Sequence, residues 1–68
     1  MPTGRVKWFD TKKGYGFIVP DDGGKDMFVH ITAVQKAGYT NLVPGARVNY
    51  ELRPDREGNP TAESLKIG

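Results

Sequence analysis

The sequence predicts an all-β fold, five short antiparallel strands closed into a small barrel of the OB type. Three observations carry that expectation. Apolar and polar residues alternate in short runs, the period of a half-buried strand. Nine glycines and five prolines among 68 residues punctuate the chain too often for long helices, and no stretch keeps helical periodicity over three turns. The runs also recur at the close spacing of sandwiches and barrels. With only five strands, closure is the way to limit exposed edges.

The first strand is expected over Gly4 to Asp10, turned by Thr11-Lys12-Lys13-Gly14 into a second over Tyr15 to Pro20. Asp21-Asp22-Gly23-Gly24 is a strong turn signal, because Asp-Gly suits backbone that needs a positive φ. A third strand covers Asp26 to His30. The long connection 31–45 opens with a helical turn, for which Thr32 and Gln35 have capping-box spacing, and is broken up by Gly38 and Pro44-Gly45. The fourth strand covers Arg47 to Arg53, with Val48, Tyr50 and Leu52 on one face, and Pro54 ends it. After the polar loop Asp55 to Asn59, the fifth strand runs from Thr61 to Ile67.

Bulk properties narrow the function classes. A chain of this size buries only about 60% of its unfolded surface, and one small core supplies about 3–5 kcal/mol. There is no cysteine and a single histidine, so no disulfide or thiolate metal site is expected, and no cofactor. The N-terminus enters a strand pattern without an apolar targeting segment, which points to a cytoplasmic protein with no membrane partner. The net charge is only +2, but Arg5, Lys7, Lys12 and Lys13 crowd the first twenty residues against Asp10 alone. That basic charge is interleaved with aromatics, a combination suited to nucleic acid.

Alternation decides which way the aromatics face. Successive side chains of a strand point to opposite sides, so Phe28 and His30 oppose Met27 and Val29. A histidine inside so small a core is costly unless hydrogen-bonded, so Met27 and Val29 belong inside. By the same logic Gly16 and Ile18 face inward, and Tyr15 and Phe17 outward. In the first strand Val6 is core and Lys7 is outside. Strict alternation would then bury Trp8, whereas a bulge would turn it outward and leave Phe9 partly buried; the bulged arrangement is favoured. Phe9 and Tyr50 read as core.

Exposed rings among lysines suit single-stranded nucleic acid. Stacking of a base on an aromatic contributes roughly 1–3 kcal/mol and tolerates any base, while lysines neutralise phosphates. Weak sequence preference results, tilted by hydrogen bonds from Lys7, Asp10 and His30. Lys7-Trp8-Phe9, then Lys13-Gly14-Tyr15-Gly16-Phe17-Ile18, then Asp26-Met27-Phe28-Val29-His30 closely resemble a bacterial cold shock protein, the second and third segments looking like its two ribonucleoprotein motifs. The resemblance extends over the whole chain, including Gly38-Tyr39 and Pro44-Gly45.

What the resemblance implies is a single cold shock domain over residues 1–68, an OB-fold barrel binding single-stranded RNA and DNA, pyrimidine-rich strands included. Members act as RNA chaperones that melt weak RNA structure, often in the cold. The family's stacking positions fall on Trp8, Phe17, Phe28, His30 and Tyr39, with Tyr15 and Phe9 on the same surface, and its basic and polar contacts on Lys7, Lys13 and Asp10. Three features depart from the family pattern. Ile31 stands where many members have a stacking phenylalanine, Asp10 replaces an asparagine, and the chain is net basic where many members are acidic. A monomer is expected, with exposed edges permitting a strand-exchanged dimer.

Rival readings fit less well. Pro20 occupies a position where the signature of an RNA recognition motif needs an aromatic, and that fold requires two helices. An SH3-like barrel binding proline-rich peptides also displays aromatics, but its often basic ligands favour an acidic groove. Catalysis is not expected: His30 has no nearby serine or cysteine in sequence, and Asp21, Asp22 and Asp26 do not have the spacing of an EF-hand.

Overall fold

Alternation, turns and bulges together close the chain into a five-stranded barrel. A computed structural model describes residues 2–68; Met1, counted in the expected domain, lies outside the described residues. The strands are β1 (Thr3–Asp10), β2 (Tyr15–Pro20), β3 (Met27–His30), β4 (Arg47–Pro54) and β5 (Pro60–Ile67), with one helix, α1 (Ile31–Lys36), between β3 and β4. The strand order around the barrel is β1-β2-β3-β5-β4. Neighbouring strands run antiparallel except at the β3–β5 seam, where Phe28 pairs with Thr61 in parallel. The expected all-antiparallel arrangement therefore gives way at one seam, because helix α1 and the loop after it carry the chain away before β4 and β5 return.

The inward residues form one core of Val6, Ile18, Met27, Val29, Leu42, Val48, Tyr50, Ala62 and Leu65, with Ala33 and Val34 on the buried side of helix α1. Burying each large aliphatic side chain contributes roughly 1.5–3 kcal/mol, so the alternation read in β2 and β3 is what holds the wall of the barrel. Gly16 is needed for a further reason. A Cβ there would meet the Trp8 carbonyl oxygen and come within 2.7 Å of the Phe9 Cα. The β2–β3 turn is closed by a bond from the Gly23 N–H to the Pro20 carbonyl at 3.2 Å, with Gly23 at φ +82°, as its Asp-Gly sequence leads one to expect.

Two bulges set which way their strands face beyond them. In β1 the register passes from Val6–Ile18 to Trp8–Phe17, leaving Lys7 as the extra residue. In β5 it passes from Lys66–Asn49 to Glu63–Glu51, and Ser64 takes the left-handed φ of +53°, which restores Leu65 to the core. Leu52 shares the side of Val48 and Tyr50 but is 56% exposed. The expected shared face is present but is buried only through Tyr50, because β1 pairs with β4 only as far as Asn49 and Leu52 lies at the rim of the barrel beyond it.

Helix α1 begins directly from β3. Its N-cap is His30, not Thr32, and the ring Nδ1 accepts the Thr32 N–H at 3.2 Å. The capping-box spacing of Thr32 and Gln35 is therefore not used; Thr32 already lies in the first turn. Among the described residues no helix is long and apolar enough to cross a membrane.

Candidate nucleic-acid interface

The outward residues of β1, β2 and β3 line up in two rows across the sheet. One row is Trp8–Phe17–Phe28 and the other Asp10–Tyr15–His30, both fixed by the strand registers. Cross-strand neighbours come close enough for their side chains to touch, so the rings form one continuous surface. Trp8 and Phe17 have centroids 5.4 Å apart, Phe17 and Phe28 5.8 Å, Tyr15 and Phe28 5.5 Å, and Phe28 and His30 6.4 Å. Most of these pairs are tilted or edge-on, while Tyr15 and Phe28 lie nearly parallel at 23°. The aromatics of the surface are half-buried at their edges and His30 is exposed. The bulge at Lys7 is what turns Trp8 onto this face and lets Phe9 pack against the core.

Polar groups border the rings. The Lys7 ammonium lies 2.9 Å from Asp26 Oδ2, with the two side chains 53% and 39% exposed, a surface pair of the sort that adds at most about 1 kcal/mol and can exchange partners. Asp10 Oδ1 accepts the backbone N–H groups of Lys12 and Lys13 at 2.8 and 3.1 Å. The aspartate thus holds the β1–β2 turn and has only Oδ2 left for a ligand. Lys12 and Lys13 are exposed. Because His30 Nδ1 accepts at the helix cap, a neutral ring carries its proton on Nε2 and presents a donor. Ile31 is half-buried, and its N–H donates to the Gly14 carbonyl at 2.9 Å.

Phe9 and Tyr39 stand apart from the two rows. Both pack against the core, and the Tyr39 hydroxyl accepts the Ile67 N–H at 3.4 Å.

This arrangement coincides with a family match over nearly the whole chain: the model of the 'Cold-shock' DNA-binding domain covers residues 2–67. The chain belongs to the cold shock domain family. It is 52% identical over 67 residues to the "Probable cold shock protein y4cH" of Sinorhizobium fredii, and 48% identical over 67 residues to the cold shock protein CspA of Rhizobium meliloti, covering 97% of each partner in both comparisons. It is 44% identical over 64 residues to the cold shock-like protein CspE of Escherichia coli, covering 94% of this chain and 93% of that protein. Nucleic-acid binding is the family's function.

This cold shock domain also contains a feature that sequence reading missed. The end of the ring surface opens into a cleft of about 350 Å³ lined by Phe17, Phe28, Lys25, Asp26, Asp55, Asn59 and Pro60. Residues 21–24 and 55–59 read only as a polar turn and a polar loop in the sequence, and Asp26 as the start of the third strand. The one local signal was Asp26 directly before β3, next in line to the outward Phe28; nothing in Asp55 or Asn59 announces that the β4–β5 loop folds back beside β3.

Proposed function

We propose that this cold shock domain binds single-stranded RNA and DNA by stacking unpaired bases on Trp8, Tyr15, Phe17, Phe28 and His30. Lys7 and Lys13 neutralise phosphates at the border, Asp10 supplies a polar contact, and Phe9, Ile31 and Tyr39 contribute apolar contact at the margins. By holding strands open it acts as an RNA chaperone in the cytoplasm, destabilising weak RNA structure and so supporting transcription and translation during cold or other stress. The observation that carries the reading is the registered row Trp8–Phe17–Phe28, a π-surface too wide for one base and inaccessible to the stacked bases of a duplex.

Such a surface binds pyrimidine-rich strands with weak preference, because each base offers a face for stacking. A monomer suffices for it. Trp8, the single tryptophan, reports occupancy. Its fluorescence is expected to be quenched by an oligothymidine of roughly six or seven nucleotides, within the site sizes of an OB fold, and far less by a duplex of equal length. Raising the salt should weaken binding through release of counterions. Equal affinity for the duplex would sink the stacking mechanism, and quenching by a proline-rich peptide in place of the oligonucleotide would favour an SH3-like role. A hairpin RNA carrying a fluorophore and quencher at its ends tests the chaperone step: the protein should open a weak stem at a temperature where it stays closed alone.

A further inference from the structure

We propose that the wall formed by β1 and β4 is a second, electrostatic section of the nucleic-acid path, in which Arg5, Arg47 and Lys66 each take a phosphate of the strand as it runs on past Trp8. The inference rests on the single-strand reading of the ring surface. Strand register makes the two sections continuous. The outward row next to Trp8–Phe17 is Val19–Arg5–Arg47, which crosses from β2 through β1 to β4. Asn49 pairs with Lys66 on β5, so Lys66 lies on the diagonal from Arg47, about 7–8 Å away at the backbone. Lys7, the extra residue of the β1 bulge, stands in the chain between Arg5 and Trp8. All three cations of the wall are exposed.

Like charges directly opposite one another destabilise a ladder, and Arg5 faces Arg47 across this one. An anion bound beside them relieves that repulsion. The two guanidinium groups have different partners. Arg5 Nη1 donates to the Gly45 carbonyl at 3.2 Å, and Arg47 Nη2 lies 3.5 Å from Asp21 Oδ2. A guanidinium carries five N–H donors, so each keeps most of its fork for a phosphate of its own. The Arg47–Asp21 pair, with side chains 54% and 41% exposed, is weak enough to exchange partners. Glu51 and Glu63, further along β4 and β5, are held by Arg53. The outward residues of the wall, Thr3, Arg5, Val19, Arg47, Asn49 and Lys66, include no aromatic ring, so this section meets backbone and leaves bases in solvent. Charge alone would also suit an acidic peptide; the strand is favoured because the wall begins one row from the rings.

The test compares heptathymidine, which covers the rings, with dodecathymidine, which reaches the wall, by Trp8 fluorescence at a series of salt concentrations. On a single strand each neutralised phosphate adds about 0.7 to the slope of log affinity against log salt. The longer strand should therefore show a slope steeper by about 2. Extra binding registers alone would raise its affinity several-fold and leave the slope as it was. Arg5→Gln, Arg47→Gln and Lys66→Gln should each take about 0.7 from the dodecathymidine slope and leave heptathymidine binding unchanged. Lys36→Gln, which removes the same charge from α1, should leave both slopes alone. Circular dichroism checks that the variants fold. Equal slopes for the two strands with heptathymidine binding intact would overturn this inference alone, as would a difference that survives all three substitutions. A polyglutamate peptide that binds wild type but not the three variants, with the two slopes equal, would reassign the wall to an acidic protein. Failure of heptathymidine to bind at all would overturn the single-strand reading and this inference together.

Discussion

Trp8 sits directly across the β1–β2 ladder from Phe17, out of step with the adjoining Val6–Ile18 pair by the one residue Lys7. Were β1 regular, with Lys7 paired in the ladder and no bulge, Trp8 would continue the inward alternation of Gly4 and Val6, and the ring row would begin at Phe17. The bulge does two things at once: it adds an indole to the exposed surface and gives the core the edge of Phe9.

Because the rings of Phe17 and Phe28 face outward, they can be removed without opening the core. Phe17→Ala or Phe28→Ala should weaken binding of a short oligothymidine by roughly 1–3 kcal/mol, the worth of one stack. Each ring also touches its neighbours, so a stability loss of about 0.5–1.5 kcal/mol per pair accompanies it. Fluorescence titration gives the first quantity and thermal melting the second; a pair of unfolded variants would mark the rings as structural instead.

Ile31 leaves one place along the surface without a π-face. Ile31→Phe should tighten binding by about 1 kcal/mol, the low end for a stacked base, since the new ring must turn away from Gly14, where a Cβ would already lie 3.4 Å from Ile31 Cγ2. Isothermal titration of wild type and variant with the same oligonucleotide measures the difference. An unchanged or weaker affinity would rule out a missing stack at this position.

Asp10 combines a structural bond with an unhelpful charge. Asp10→Asn keeps an oxygen for the Lys12 and Lys13 N–H groups, so its melting temperature should stay near that of wild type. Its affinity for single strands should rise, and the advantage should shrink at high salt as the lost repulsion is screened. Asp10→Ala should instead lose about 0.5–1.5 kcal/mol of stability for each turn bond forfeited. Melting curves and titrations at two salt concentrations separate the two effects.

Tyr50 gives the fold an alkaline limit. Burial pushes its phenol above the ordinary value of 10.0, and Asp22 and Asp21 push it further in the same direction. The raised value favours the neutral phenol in the folded state, so this contribution to stability is whole below pH 10 and is lost as the pH rises through the folded value. Denaturant unfolding across the alkaline range should show a steeper decline in wild type than in Tyr50→Phe. Parallel declines would mean that the phenol is not the group responsible.

The strands and the outward turn of Tyr15, Phe17 and Phe28 were legible in the sequence because a half-buried strand prints its facing in a period of two. Val29 and Met27 could not be left in water while His30 was buried, and that fixed β3, then β2 through the hairpin. Three features escaped. The parallel contact of Phe28 with Thr61 joins distant segments, and local alternation carries no record of such pairing. Leu52 kept its side but outran its β1 neighbour, so its pattern looked buried where its surroundings were not. His30 served as a helix cap, a role that Ser, Thr, Asp and Asn usually fill, and the spacing of Thr32 and Gln35 imitated the commoner solution two residues too late. On the candidate surface the rings were legible, but the cleft beside Phe28 was not. Its far wall comes from the β4–β5 loop, whose position depends on barrel closure and not on its own composition.

The crowding at Gly16 limits how chains of this kind can diversify. Any side chain there collides with the backbone of Trp8 and Phe9, so inherited variants at that position lose the barrel wall before they can alter recognition. The outer side of the same strand, the position of Ile31, the turn at Asp10 and the loop from Asp55 to Asn59 face no such barrier. Change in the chemistry of the outer face is therefore channelled to those places, away from the barrel wall at Gly16.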